Sequence, residues 1–162
     1  MILENKTRTT ILGVEEVLVI SAYNPKIFIS HSWSYSNHYD KLAEWIFKDS
    51  WNLNGVPIRF ANLSVPKEDP IHYANNEREL RAAIYSRVYN SDVVVIPTGM
   101  YATHSNWIGK EIDGANAYNK PILAVDPWGQ ERKSQTVTDN ATSTVGWNKQ
   151  SVIDEIWRLY QP

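Results

Sequence analysis

One acidic residue, Glu111, falls on a predicted helix at a position where a charge is unexpected. It follows Trp107 by four residues and Ile108 by three, and it precedes Ala115 by four, so these residues share the stripe that should face the protein interior. A carboxylate held against an aromatic wall has its pKa tuned by desolvation, and it can stabilise the positive charge that develops on a sugar when a glycosidic bond breaks. The alternative is a glutamate at the helix edge that reaches solvent or pairs with a nearby Lys or Arg.

Alternating strands and helices are predicted around this segment. Short apolar runs predict strands at residues 26–30, 56–61, 93–97 and 121–126, and amphipathic spacing predicts helices at about residues 37–50, 77–90, 105–118 and 152–160. Residues 130–147 are polar and are interpreted as a loop with room for one short edge strand. Strands that alternate with helices imply right-handed crossovers, so we expect an α/β fold of three layers, doubly wound around a mainly parallel sheet.

Ligands of such sheets bind beyond the carboxyl ends of the strands. The segments expected at that edge are residues 31–33, residues 98–101 and the long polar loop at residues 66–76. A loop of that length without regular structure is unusual enough to suggest a function.

Composition excludes several classes of protein. The 162 residues suit a single domain, and the 12% of aromatic residues suits a pocket or an interface as well as a core. A net charge of −2 with scattered basic residues makes nucleic acid an unexpected partner, and the lack of cysteine excludes disulfides, zinc thiolate sites and cysteine nucleophiles. The apolar stretch at residues 17–20 is too short for a signal peptide or a membrane span, so we expect a cytoplasmic protein without membrane contact.

Three segments resemble the TIR-like domain family. IFISHS at residues 27–32 looks like the opening strand and loop of TIR domains, and SNWIGKEI at residues 105–112 resembles their Trp-x-x-x-Glu helix. LSVPKEDP at residues 63–70 adds a resemblance to the bacterial TIR-like group that includes the TIR protein of Thoeris anti-phage defence. The resemblance implies a flavodoxin-like topology for a domain at residues 25–162, preceded by an N-terminal extension of unknown role at residues 1–24.

The resemblance also implies a reaction. In that family the Trp-x-x-x-Glu glutamate is the catalytic residue that cleaves the nicotinamide–ribose bond of NAD⁺, which assigns this role to Glu111 and makes Trp107 a wall of the substrate pocket. The products are nicotinamide and ADP-ribose, or a cyclic ADP-ribose isomer that signals to a separate effector. NAD⁺ is then a substrate, neither a cofactor nor a metal is expected, and TIR–TIR contacts imply a homo-oligomer.

Further substrate-binding residues follow from the same resemblance. Ser30, His31 and Ser32 should lie where the family binds the nucleotide, and Asp69 lies in the loop that closes over the substrate and contacts a neighbouring copy. The alternatives are that the residues around His31 cap the following helix or pack at the surface, and that Asp69 is a turn residue before Pro70.

The phosphates of NAD⁺ need basic residues or backbone N–H groups. No Gly-x-Gly-x-x-Gly follows any predicted strand, which disfavours a Rossmann enzyme of hydride transfer. Helix N-termini after the first and third strands are candidates for the pyrophosphate, with Arg78, Arg81 and Arg87 either helping or simply lying on solvated helix faces.

Two other functions compete with this one. One is a non-catalytic TIR module that signals by self-association alone. The other is a receiver-like switch of similar topology, which needs an acidic pair after the first strand and an Asp after the third. Residues 30–32 and 97–99 instead read SHS and PTG, so the phospho-acceptor chemistry of a receiver is missing.

Overall fold

The computed structural model describes residues 6–11, 14–19, 23–30, 36–65, 76–128 and 133–160. The strands are β1 Lys6–Ile11, β2 Val14–Val19, β3 Lys26–Ile29, β4 Trp51–Leu53, β5 Val56–Ile58, β6 Ala61–Asn62, β7 Val93–Pro97, β8 Ile122–Val125 and β9 Ser143–Val145. The helices are α1 Ser36–Phe47, α2 Glu77–Asn90, α3 Tyr101–Ala117, α4 Gln135–Asn140 and α5 Lys149–Tyr160, and a 3-10 turn, Thr98–Met100, joins β7 to α3.

The central sheet is parallel throughout and has five strands in the order β6-β3-β7-β8-β9. Counted along the chain, the strands of this sheet therefore run 2-1-3-4-5, which is the flavodoxin-like order. Helices cover both faces, so the predicted three-layer, doubly wound α/β fold is confirmed.

Each strand of the sheet sends alternate side chains into two separate cores. Ile27 and Ile29 of β3 pack on the side of α1 and α5, whereas Phe28 packs on the side of α2 and α3. Since side chains alternate along a strand, Ser30, the next residue after β3, falls on the same side as Phe28. The sheet therefore presents the end of β3 to helix α3.

The predicted second strand, residues 56–61, was wrong in its boundaries. The segment divides into β5, which pairs with β4 in an antiparallel hairpin, and β6, a strand of two residues that joins the central sheet. Asn54 and Gly55 have φ values of 53° and 80°, as the two central residues of a type I′ hairpin turn require. The alternation of strands and helices is broken here by this hairpin.

The polar segment after β8 holds both the edge strand β9, which the sequence allowed for, and a helix that the sequence did not predict. Helix α4 has a single buried apolar residue, Val137, so there is no periodicity from which to predict it. It begins where the side chain of Ser134 accepts a hydrogen bond from the backbone N–H of Val137.

The described part of the N-terminal segment forms a hairpin in which β1 pairs only with β2 among the named strands. The register joins Lys6 to Val19 and Ile11 to Val14. The division of the chain into an extension at residues 1–24 and a domain at residues 25–162 stays a prediction. Among the described residues, no helix combines the length and the apolar character needed to cross a membrane.

Candidate functional site

Helix α3 buries the carboxyl group of Glu111. The residue is 0% exposed, and the indole Nε1 of Trp107, one helical turn earlier, donates a hydrogen bond to Glu111 Oε1 at 2.6 Å. Ile108, Ile112 and Ala115 lie on the same buried side of the helix. The carboxyl group therefore faces the protein interior with an indole as its direct partner.

Ser30 meets this carboxyl group from the sheet. Its backbone N–H donates to the carbonyl of Val95 at 2.8 Å, which holds the residue at the carboxyl ends of β3 and β7. The strand order reverses between these two strands, and this is the point of a doubly wound sheet where ligands bind. Ser30 is 0% exposed, so two buried polar side chains meet at the expected edge of the sheet.

Burial raises the pKa of Glu111 to about 8, and the hydroxyl of Ser30 and the indole N–H of Trp107 both act against this rise. Although the hydroxyl lies close enough to influence the pKa, neither Ser30 Oγ nor Glu111 Oε2 completes a well-aligned hydrogen bond with any described residue. At neutral pH the carboxyl group is therefore mostly protonated. Its own Oε2 and the neighbouring Ser30 Oγ retain hydrogen-bonding capacity.

Trp107→Phe is expected to raise the pKa of Glu111 further, because the variant loses a donor that stabilises the carboxylate. The carboxyl ¹³C chemical shift of Glu111 followed against pH measures this change. Trp128→Phe is the matched control, since it also deletes an indole N–H, one that donates to the carbonyl of Trp147 at 3.1 Å. An equal pKa in wild type and Trp107→Phe would contradict the assigned hydrogen bond.

Ser64 supports the site from the edge of the sheet, and we did not single it out from the sequence. Its Oγ accepts the buried backbone N–H of Ile29 at 2.9 Å, because β6 ends at Asn62 and offers no carbonyl there. The side chain of Asn62 in turn accepts the N–H of Ser64 at 2.9 Å, which forms an Asx-turn. An Asn followed by Ser two residues later, directly after a strand, is the sequence signal that marks this turn.

Ser64→Ala is expected to lower the free energy of unfolding by about 1–3 kcal/mol, because the buried N–H of Ile29 loses its acceptor. Urea denaturation at pH 7 measures the loss. Ser86→Ala on the exposed face of α2 is the control, and it should stay within about 0.5 kcal/mol of wild type. Equal stabilities of the two variants would show that Ser64 is dispensable for holding β3.

Other candidates from the sequence are placed differently. Thr98, at the end of β7, is buried and donates from Oγ1 to Asp126 Oδ1 at 3.0 Å, beside the ion pair between Lys133 and Asp126. Arg87 donates to the carbonyl of Ser64 at 3.2 Å, so it braces the sheet edge. Arg78 and Arg81 lie exposed on α2, and His31, Ser32 and Asp69 lie outside the described residues.

Two of the cavities lined by described residues lie away from Glu111. One, of about 450 Å³, lies between the β4–β5 turn and α5, where its lining includes Asn54, Asp154 and Trp157. The other, of about 490 Å³, is bounded by His38, Lys41, Trp128 and Trp147 among others. Within the described ranges, no group of three or more His, Asp or Glu side chains is placed to hold a metal ion.

Comparison with known proteins gives a weak structural similarity and a family match. The crystal structure of translation elongation factor SelB from Methanococcus maripaludis, in its apo form, has a TM-score of 0.49 and 12% sequence identity over 85% of this chain and 34% of that one. This chain therefore spans about a third of that protein's length, and a likeness at this level says nothing of its function. No curated protein matches the chain.

A family match covers most of the sheet and the helix that carries Glu111. Residues 28–132, which run from β3 past β8, match the model of the TIR-like domain of Thoeris protein ThsB. The match includes Ser30, Trp107 and Glu111, and it spans well over half of the chain. The chain belongs to the Thoeris ThsB TIR-like domain family.

Proposed function

We propose that this protein cleaves the nicotinamide–ribose bond of NAD⁺, with Glu111 as the catalytic carboxylate, and that it does so in anti-phage defence. Membership of the Thoeris ThsB TIR-like family supports a TIR-type role in that defence. The observation that carries the enzymatic proposal is the fully buried carboxyl group of Glu111. It accepts a hydrogen bond from the indole of Trp107 and faces Ser30, at the point where the strand order of the sheet reverses. A buried ionisable group with a strongly displaced pKa is common at catalytic sites.

The reaction needs little more than this group. The C1′–N bond of the ribose breaks, its electron pair leaves with nicotinamide as a neutral molecule, and the ribose becomes a cation that a carboxylate stabilises. Water then attacks C1′ and loses a proton, which gives ADP-ribose, or an internal hydroxyl attacks C1′ and gives a cyclic isomer. Ser30 Oγ and Glu111 Oε2 have capacity left for hydrogen bonds to ribose hydroxyls.

Ionisation of Glu111 is coupled to substrate binding in this proposal. Burial raises the pKa to about 8 in the free protein, whereas the positive charge of the bound nicotinamide ring favours the carboxylate and lowers the pKa. Because kcat/KM reports the ionisation of the free enzyme, kcat/KM for NAD⁺ should rise with pH up to about 8 and then level off. In this proposal the cationic substrate favours the ionised form of Glu111, which burial disfavours in the free protein.

Full burial of Glu111 also means that the site must open before NAD⁺ can reach it. We propose that self-association through TIR–TIR contacts provides this change, and that His31, Ser32 and Asp69 join Ser30 and Trp107 in binding the substrate. A nucleotide product then carries the signal to a separate effector.

The test is nicotinamide release from NAD⁺ by purified protein at high concentration, with and without a crowding agent. Chromatography of nicotinamide reports cleavage, and mass spectrometry separates linear from cyclic ADP-ribose. We expect release that rises more than linearly with protein concentration. If wild type and Glu111→Gln are equally inert with the crowding agent present, the enzymatic proposal fails.

A non-catalytic, self-associating TIR module is the second candidate. The observation in its favour is that Glu111 is 0% exposed and that its carboxyl group already accepts a hydrogen bond from Trp107. On this alternative Glu111 has a structural role, and Glu111→Gln leaves signalling in the defence system intact.

A further inference from the structure

Lys110, the neighbour of Glu111 in the chain, is a buried cation. The residue is 4% exposed, and its Nζ lies 2.8 Å from Glu77 Oε1 and donates to the carbonyl of Asn106 at 3.3 Å. The side chain of Glu77, by contrast, is 67% exposed. One partner of this ion pair is thus sheltered by the protein while the other faces water.

This asymmetry makes the pair exchangeable from the solvent side. A buried ammonium group needs an anionic partner to offset its lost hydration, so Lys110 requires an anion at this position. The hydrogen bond and the charge of Lys110 lower the pKa of Glu77, which keeps that carboxylate ionised. Because Glu77 is largely exposed, its side chain can rotate into water at little cost once another anion takes its place.

The pair lies beside the candidate catalytic group. Lys110 and Glu111 are consecutive on α3, so their Cα atoms are about 3.8 Å apart and their side chains diverge by about 100° around the helix. Glu77 is the first residue of α2, the helix that packs against α3. A ligand that carries both a glycosidic bond and an anionic group can therefore contact Glu111 with one and Lys110 with the other.

We propose that Lys110 binds the pyrophosphate of a dinucleotide, and that Glu77 is an internal anion that occupies this position in the unliganded protein. The link to cleavage rests on the proposed function, whereas anion binding itself does not. The arginines near this edge fit the role less well, since Arg87 is bonded to backbone carbonyls and Arg78 and Arg81 lie exposed on α2. Among these cations of α2 and α3, Lys110 alone is buried next to Glu111.

Inorganic pyrophosphate is the probe, with its affinity measured by titration calorimetry at pH 6.5 and fixed ionic strength. We expect Glu77→Gln to bind pyrophosphate about five- to tenfold more tightly than wild type, because the internal competitor is gone while the amide still offers an acceptor to Lys110. Glu79→Gln is the matched control, since it removes the same charge from the same first turn of α2 and should stay within about twofold of wild type.

Adding Lys110→Gln to Glu77→Gln should abolish the gain in affinity. The proposal is overturned if Glu77→Gln and Glu79→Gln bind pyrophosphate equally well, or if the gain survives without Lys110. Should the variants of Lys110 fail to fold, the comparison of Glu77→Gln with Glu79→Gln still decides, because both of these residues are exposed.

Kinetics of NAD⁺ cleavage by the same variants distinguish the anion-site proposal from the cleavage proposal. In an active enzyme, Glu77→Gln should lower KM for NAD⁺ by a similar factor and leave kcat unchanged. If no variant releases nicotinamide yet Glu77→Gln gains affinity for pyrophosphate, the cleavage proposal fails and the anion site stands.

Discussion

Glu111→Gln should lower the rate of nicotinamide release by about 100- to 1,000-fold, with the loss in kcat rather than in KM. The amide is nearly isosteric with the acid, accepts the same hydrogen bond from Trp107 and fills the same buried space. It cannot acquire the negative charge that stabilises the ribose cation. The variant therefore removes an interaction that is made in the transition state and leaves the fold in place.

Steady-state kinetics with NAD⁺ under the conditions that activate the wild type measure this loss. Glu79→Gln, an exposed glutamate to glutamine change on α2, is the control and should retain wild-type kcat. A Glu111→Gln variant that keeps more than about a tenth of the wild-type kcat would assign the chemistry to another group.

Glu111→Gln should at the same time be more stable than wild type at alkaline pH, by about 3–5 kcal/mol in the free energy of unfolding. The pKa of Glu111 is about 8 in the folded protein against a model value of 4.5, so the folded state binds one more proton than the unfolded state between these values. The contribution of the protonated carboxyl group is fully present below pH 4.5 and is lost as pH rises to 8. Glutamine carries no charge at any pH and can donate to Ser30 Oγ as well.

Urea denaturation of both proteins at pH 5 and at pH 8.5 measures the effect. Every other titrating group is common to the two proteins, so the change in their stability difference between the two pH values isolates residue 111. Parallel dependences on pH would show that the carboxylate ionises in place without cost, and the burial described for it would then be wrong. Together the two results would mark Glu111 as a residue kept for activity at the expense of stability.

The fold could be predicted from the sequence where buried elements have a clear pattern of apolar residues. β7 is buried along its whole length, as is β8, so each reads as a continuous apolar run bounded by turns. Helix α2 was predicted at residues 77–90 and occurs there, with Asn76 as its N-cap. Glu111 stood out for the same reason, since a charge on an apolar stripe breaks a pattern that the neighbouring residues establish.

What could not be predicted depends on contacts between distant segments or on very short elements. Ser64 acts through the N–H of Ile29, which lies 35 residues away in the chain, and only the paired strands show that this N–H lacks a backbone acceptor. The hairpin of β4 and β5 has its signal in Asn54-Gly55, a dipeptide typical of a type I′ turn, directly before the strand predicted at residues 56–61. Lys110 is buried where the first turn of α2 lies beside α3. Because this contact joins residues 33 positions apart, no local sequence pattern predicts it.

Both edge strands of the central sheet are short, since β6 has two residues and β9 has three. A strand of that length exposes very few free backbone N–H and C=O groups, so it is a poor template for an added strand from another molecule. The central sheet therefore offers little backbone for an edge-to-edge contact between copies of this domain. Growth of this sheet into fibrils by addition of strands at its edges is disfavoured for the same reason.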